Sequence, residues 1–230
     1  MNYSKNIRYF KSSDLHFYIG LALLAVGVIL VLLGWFFWIY FLPFQQGIGL
    51  ALALVGAIIA WVPRALRADE KDLDACIETA VKEYSDSVLD YVGVSKTSGI
   101  VPLMVGGHEF EADGILMRRG KDDRKFRSSL YTAAAFVFTG KGLCVCCKTF
   151  SLVDSTVRDS RKDFTYQELD GVSIVNESKK LDGVTTTVVG LAISVGGKEV
   201  MRVPASQSAV LDKLCEDINR TIAGEKARLA

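Results

Sequence analysis

Leu15–Pro63 reads LHFYIGLALLAVGVILVLLGWFFWIYFLPFQQGIGLALALVGAIIAWVP, and none of its 49 residues is Asp, Glu, Lys or Arg. A hydrocarbon core about 30 Å thick is crossed by roughly 20 apolar residues in a helix, so a run of this length is two spans rather than one. The interruption Pro43-Phe44-Gln45-Gln46-Gly47 separates a first span over 17–42 from a second over 47–62. The first holds 17 Leu, Ile, Val and Phe residues and is apolar enough to insert unaided. The second holds eight, diluted by Gly and Ala, and is expected to insert as the partner of the first.

Small residues say how such a pair packs. Gly20, Gly27 and Gly34 recur every seven positions along one side of the first helix, while Gly49, Ala53 and Ala57 recur every four on the second, with Gly56 and Ala60 beside them. Lipid supplies no hydrophobic drive between helices, so close approach of backbones over small side chains has to hold them together. The pattern predicts a packed hairpin, and the same surfaces are those a homo-oligomer would use.

Charge flanks the run on both sides. Lys5, Arg8 and Lys11 precede it, Arg64 and Arg67 follow it, and the connecting segment has none. The positive-inside rule places both termini in the cytoplasm, making a multi-pass protein of the cell membrane. Trp35, Trp38, Tyr40 and Phe41 form the expected outer aromatic belt, and Phe17, Tyr18 and Trp61 the inner one. The first apolar stretch is too long for the h-region of a signal peptide, and no small-x-small cleavage site follows it. On this topology the sequons beginning at Asn2, Asn176 and Asn219 are chance matches.

All 53 formal charges of the 230 residues lie outside that run, 27 basic and 26 acidic. Residues 1–14 sum to +2 and residues 64–230 to −1. A uniformly soluble chain is excluded, as is a globally basic nucleic-acid binder. The expected organisation is a cytoplasmic segment (1–14), the hairpin (15–63), a linker with an amphipathic stalk helix (64–93) and a β domain with a C-terminal helix (94–230).

In the stalk, Leu73, Ile77, Ala80, Tyr84, Val88 and Tyr91 share one helical face, an acidic first turn opens the helix and Gly93 closes it. After Gly93 the period becomes extended. Strands are expected over 100–105, ending at Gly106-Gly107, then over 115–119, 125–138, 143–152, 172–175, 184–195 and 199–203. Turns fall at 120–123, 139–142 and 196–198, and an amphipathic helix closes the chain. The fold class is α+β, an antiparallel β domain capped by a helix.

The two-span hairpin, the early β-hairpins and the segment Phe164-Thr165-Tyr166-Gln167-Glu168-Leu169-Asp170-Gly171-Val172-Ser173-Ile174, followed by a glycine-bounded strand pair and a helix over 206–223, resemble the bacterial PH-domain membrane proteins. The resemblance covers roughly 115–223 plus the hairpin and rests on a pattern of hairpins and a helix, with no catalytic motif. It implies a PH-like domain that binds or scaffolds at the membrane.

Reactive chemistry finds little support. His16 sits at the membrane edge, and His108 lacks the second histidine of a zincin helix, so no metal site, cofactor or histidine-based catalysis is expected. Cys144, Cys146 and Cys147 do not have paired zinc-ligand spacing; they read as small hydrophobes of a strand, with a redox sensor or cysteine enzyme as the rival. Gly196-Gly197-Lys198-Glu199 has neither the Ser/Thr nor the following helix of a phosphate loop.

One electrostatic cluster stands out. Arg118, Arg119, Lys121, Arg124, Lys125 and Arg127, against Asp122 and Asp123, put +4 on ten residues around a hairpin tip. Lipid-binding PH domains use basic residues in an early hairpin, so the resemblance implies contact with anionic head groups; a membrane-protein partner and a merely solubilising tip are the alternatives. The reading is a non-catalytic, membrane-anchored binding or scaffolding module. A pore built from the hairpins has no Asp, Glu, Lys, Arg or His within the spans to offer an ion. A reporter fused after Ala230 is expected to read as cytoplasmic, and an external reading would reverse the topology.

Overall fold

The computed structural model describes residues 1–11, 15–36, 43–94, 100–206 and 208–229. The chain divides into two units, residues 2–69 and 70–230.

The first unit is helical: α1 (Tyr3–Lys11), α2 (Leu15–Phe36) and α3 (Pro43–Ala65). The N-terminal segment, read from the sequence only as a charged flank, is a helix capped by Asn2, whose side-chain oxygen accepts from the Lys5 N–H at 3.2 Å. It buries Asn6, Tyr9 and Phe10, and its Lys5 carbonyl accepts from the Ala68 N–H at 3.2 Å.

Two helices are long and apolar enough to cross a membrane by length and composition. The second differs from expectation at its start, because Pro43 begins α3 instead of lying in a loop. Proline suits a helix start, where its missing N–H would have had no partner. The helix therefore runs 23 residues where about 16 were expected. Trp38, Tyr40 and Phe41 of the expected outer belt lie outside the described residues.

Glycine and alanine bring α2 and α3 into backbone contact, antiparallel. A Cβ on Gly20 would lie 2.6 Å from the Ala60 nitrogen and 2.7 Å from the Gly56 oxygen, and one on Gly27 would lie 2.5 Å from the Ala53 nitrogen. Gly49 meets the Gly27 carbonyl, and Gly34 lies against the side chain of Gln46. Ala60 is buried, and Ala53 and Ala57 are half-buried. The bulky residues face outward: Leu21, Ile29, Leu32, Leu50, Leu54, Ile58 and Trp61 are all exposed.

The second unit begins with α4 (Glu70–Val92) and continues through β1 (Leu103–His108), β2 (Met117–Arg119), β3 (Phe126–Ser128), β4 (Leu130–Phe138), β5 (Gly142–Ser151), β6 (Val157–Thr165), β7 (Leu169–Leu181), β8 (Val184–Val195) and β9 (Lys198–Ala205) to α5 (Ala209–Leu229). The antiparallel sheets have the orders β1-β4-β5-β6, β2-β3 and β7-β8-β9. Phe136, Leu143 and Val145 of the first, Leu169, Leu191, Ile193 and Val203 of the third, and Leu211, Ile218 and Ile222 of α5 form one core.

Four details depart from the sequence reading. Gly106 and Gly107 lie within β1 and do not end it, because β9 closes on them: a Cβ on Gly107 would be 2.6 Å from the Ala205 nitrogen, and the Ser206 N–H donates to the Gly106 carbonyl at 3.0 Å. The stretch 125–138 is two strands, parted at Ser129, whose N–H and hydroxyl both engage the Leu116 backbone. Strand β6 was not expected at all; it is an edge strand of mostly charged, exposed residues and carries no hydrophobic alternation.

The fourth concerns the stalk. α4 packs its apolar stripe on its own domain, burying Leu73, Ile77, Tyr84 and Val88, but Tyr91, expected on the same face, stays exposed. The break between helices falls at 66–69, and Pro63 is inside the last turn of α3. At the other end of the chain, Asn219 of α5 grips β7 at its bulge, accepting from the Val172 N–H and donating to the Val172 carbonyl, both at 2.8 Å. Gly171, with φ 154°, leaves room for that amide, 2.8 Å from where its Cβ would be.

Replacing Gly56 by Leu would drive a side chain into the Leu24 backbone, 2.5 Å from where the first atom must go. Gly56→Leu is expected to lower the unfolding free energy of the helix pair by roughly 1–3 kcal/mol in a detergent-titration experiment. Gly47→Ala, with open space around the new methyl, is expected to change it by less than about 0.5 kcal/mol.

Candidate functional site

The basic cluster is the short hairpin of β2 and β3, with Arg118 opposite Arg127 and Arg119 opposite Phe126. Its tip closes through the Gly120 N–H, which donates to the Lys125 carbonyl at 2.8 Å, and the Arg119 Nε–H, which donates to the Arg124 carbonyl at 3.1 Å. Arg124 adopts φ 56°, the left-handed conformation that lets a tight tip close. Arg119, Lys121, Arg124 and Lys125 are exposed there, and Arg118 is half-buried.

Arg127 is different. It is 4% exposed and makes paired bonds to two carboxylates, to Asp74 of α4 at 2.9 and 2.8 Å and to Asp123 of the tip at 3.1 and 2.8 Å. The Asp74 bonds, then those to Asp123, raise the guanidinium pKa further above its ordinary value, and the Arg127 bonds hold the Asp123 carboxyl below its own. The sequence reading grouped Arg127 with the ligand-facing residues; the structure turns it inward, where it fastens the hairpin to α4.

A second carboxylate from α4 reaches the tip. The Lys121 N–H donates to Glu70 Oε1 at 2.6 Å, while the Lys125 N–H donates to Asp123 Oδ1 at 3.0 Å. Gly120 is where these groups converge, since its Cβ would lie 2.4 Å from Asp123 Oδ1, 2.8 Å from an Arg127 nitrogen and 3.1 Å from Glu70 Cδ. Counting Glu70 and Asp74, six basic side chains face four acidic ones, so the charge of the assembled site is +2, half that of the hairpin taken alone.

Beside the hairpin is a groove of about 600 Å³ lined by α4 (Asp74, Ile77, Glu78), β3 and the ends of β1 and β8. His108 lies in its wall, its ring edge-on to Tyr131 at 5.2 Å, and its Nδ1 accepts from the Ser128 N–H at 3.2 Å. Burial, and then the nearby Arg127 charge, lower the His108 pKa to about 4, so it is neutral at physiological pH.

The cysteines are packed away. Cys144 and Cys146 share one face of β5 with their sulfurs 3.5 Å apart, and Cys147 faces the core. All three are buried. Burial pushes the Cys147 thiol up to about 12. The bond between the first pair raises Cys144 and lowers Cys146, with Arg161 adding to the lowering. Among the described residues no group of three or more His, Cys, Asp or Glu is arranged to hold a metal ion.

Sequence reasoning located the hairpin but missed Glu70 and Asp74, which lie about 50 residues earlier in the chain; an acidic first turn was legible only as a helix start. Comparison with known protein families, with curated proteins and with solved structures gives no match to this chain.

The site carries a pH signature. Between about pH 6.5 and 4 the unfolded chain takes up a proton at His108 that the folded domain refuses, so stability falls as pH drops through that window. Asp123 acts lower down: its contribution is present above the ordinary carboxylate range and is lost as pH falls through its depressed value. Denaturant unfolding at stepped pH is expected to show a loss on the order of 1–3 kcal/mol across the upper window, and His108→Asn is expected to flatten that part of the profile.

Proposed function

We propose that this chain is a membrane-anchored, non-catalytic binding module whose PH-like domain contacts anionic lipid head groups through the exposed cations of the β2–β3 hairpin. The single observation that carries the reading is the bond between Glu70 and the Lys121 N–H, which ties the basic tip to the first residue of α4. Only residues 66–69 separate Glu70 from the end of α3, a tether of at most about 18 Å. If α2 and α3 form a membrane hairpin, the cations are within reach of the leaflet.

Three further observations support it. Glycine and alanine line the contact between α2 and α3 while leucine and isoleucine face outward, the reverse of a water-soluble helix pair and suited to lipid. A four-stranded and a three-stranded antiparallel sheet followed by a C-terminal helix, with β2 and β3 lying between β1 and β4 in the chain, are compatible with the PH-like reading. Arg119, Lys121, Arg124 and Lys125 are gathered at one tip, where each basic residue near an anionic leaflet contributes about 1 kcal/mol. The buried cysteines and the neutral His108 are bound into packing, which favours a binding role over catalysis. On this reading the protein resides in the cell membrane with both termini cytoplasmic, and a protein partner is the rival occupant of the tip.

Flotation of residues 70–230 on vesicles tests the ligand. Binding is expected on phosphatidylserine-containing vesicles, absent from phosphatidylcholine, weakened by salt, and lost when Arg119, Lys121, Arg124 and Lys125 are neutralised with Arg127 intact. No binding at low salt would remove the lipid role, leave the tip as a solubilising surface and turn the search to a protein partner.

A further inference from the structure

We propose that Glu70 is an internal stand-in for the ligand, its carboxylate occupying the position on the hairpin tip that a head-group phosphate takes when the module engages anionic lipid. The inference rests on the lipid reading above and adds its regulation.

The tip holds its anion sites with main-chain donors. The Lys121 N–H, flanked by the cations of Lys121, Arg124 and Lys125, points at a carboxylate 2.6 Å away, and that carboxylate comes from a residue 51 positions earlier. A backbone N–H in a tight basic turn is a donor suited to a phosphate oxygen, and charge-assisted bonds of this kind are stronger than neutral ones. Gly120 makes the approach possible, for a side chain there would stand 3.1 Å from Glu70 Cδ. The position is therefore built to admit an anion, and the protein supplies one.

The three carboxylates that engage the hairpin, Glu70, Asp74 and Asp123, do not share one role. Asp74 and Asp123 neutralise Arg127, which is 4% exposed, and removing either would leave a buried cation short of a partner. Glu70 instead accepts from the Lys121 N–H and holds the surface of the loop, half-buried at the start of α4. A phosphate that replaces it exchanges one anion for another and leaves the Arg127 clamp intact. Until then the Glu70 charge repels head groups from the same four cations. Displacement frees the first turn of α4 from the hairpin, so lipid engagement and the seating of that turn are coupled.

The test uses the full chain in nanodiscs of phosphatidylcholine with a rising fraction of phosphatidylserine, reading amide hydrogen exchange of residues 117–128. Glu70→Gln keeps the shape and removes the charge; Glu83→Gln, exposed further along α4, removes an equal charge elsewhere. Without phosphatidylserine, Glu70→Gln is expected to speed exchange at Lys121. With it, the fraction giving half-maximal protection is expected to fall about fivefold, the weight of one charge at an anionic surface, while Glu83→Gln matches the unaltered chain. Glu70→Ala is expected to behave as Glu70→Gln, and unchanged protection of β5 confirms that each variant is folded. Protection of the unaltered hairpin by phosphatidylserine, with Glu70→Gln giving no shift or no more than Glu83→Gln, overturns the stand-in and leaves the lipid reading standing. No protection in any folded variant overturns both.

Discussion

A guanidinium buried to 4% exposure cannot shed its proton, so carboxylates have to be brought to it. Arg127 draws one from within its own hairpin, Asp123, and one from α4, Asp74. Much of the arrangement around the site follows from that requirement. The Asp123 bond folds the tip back over β3, and the Asp74 bond fixes the N-terminal end of α4 against the hairpin. With that end fixed, the apolar stripe of α4 is laid along the outer face of the four-stranded sheet, and Glu70 is delivered to the loop one turn before Asp74. Removing one partner of such a buried charge typically costs about 3–5 kcal/mol, less where the partners reach water, as Asp74 and Asp123 do at 47% and 32% exposure.

The same packing accounts for the cysteines. On the face of β4 and β5 away from the core, Ala133 pairs with Lys148, Ala135 with Cys146 and Val137 with Cys144. Small side chains there let a helix lie close, and Tyr84 of α4 comes down beside Cys146 with the Lys148 ammonium 5.6 Å from its ring. Burial is the main reason the Tyr84 phenol is harder to ionise than usual. Alternating Cys and Val along β5 gives each face of the strand what it needs, small thiols toward the helix and a bulkier core side inward.

How much of this was legible in the sequence depends on the range of the interaction. Local signals served well: the charge-free run, the small-residue spacings, the turns at 120–123, 139–142 and 196–198, and the stripe of α4 all came from neighbours within a few residues. The misses share a different cause. β6 is held by its ladder to β5 and not by burial of its own side chains, so a reading based on apolar alternation passes over it. Gly106 and Gly107 look like a strand end until β9, nearly 100 residues later, presses on them. Asn219 reads as a polar residue on a helix until the β7 bulge offers it a matching N–H and carbonyl. Within the site, six cations could be counted from the sequence, but their division into four that are exposed, a half-buried Arg118 and one that faces Asp74 shows only in the fold, the last through a contact across 53 positions.

That division changes what the charge means. A hairpin of +4 would be a simple electrostatic adhesive, its strength fixed by composition and dependent only on salt. With Arg127 turned inward and Glu70 and Asp74 brought to it, the assembled site is nearer to balance, and its remaining cations can be alternately matched and released by one surface carboxylate. Only an anion that also satisfies the Lys121 N–H replaces Glu70 without leaving a donor unpaired, so geometry is asked for as well as charge. A diffuse negative surface meets the second demand and a phosphate oxygen meets both. The buried clamp and the surface latch thus sit four residues apart on one helix, the first holding the hairpin in place whatever is bound and the second free to respond to it.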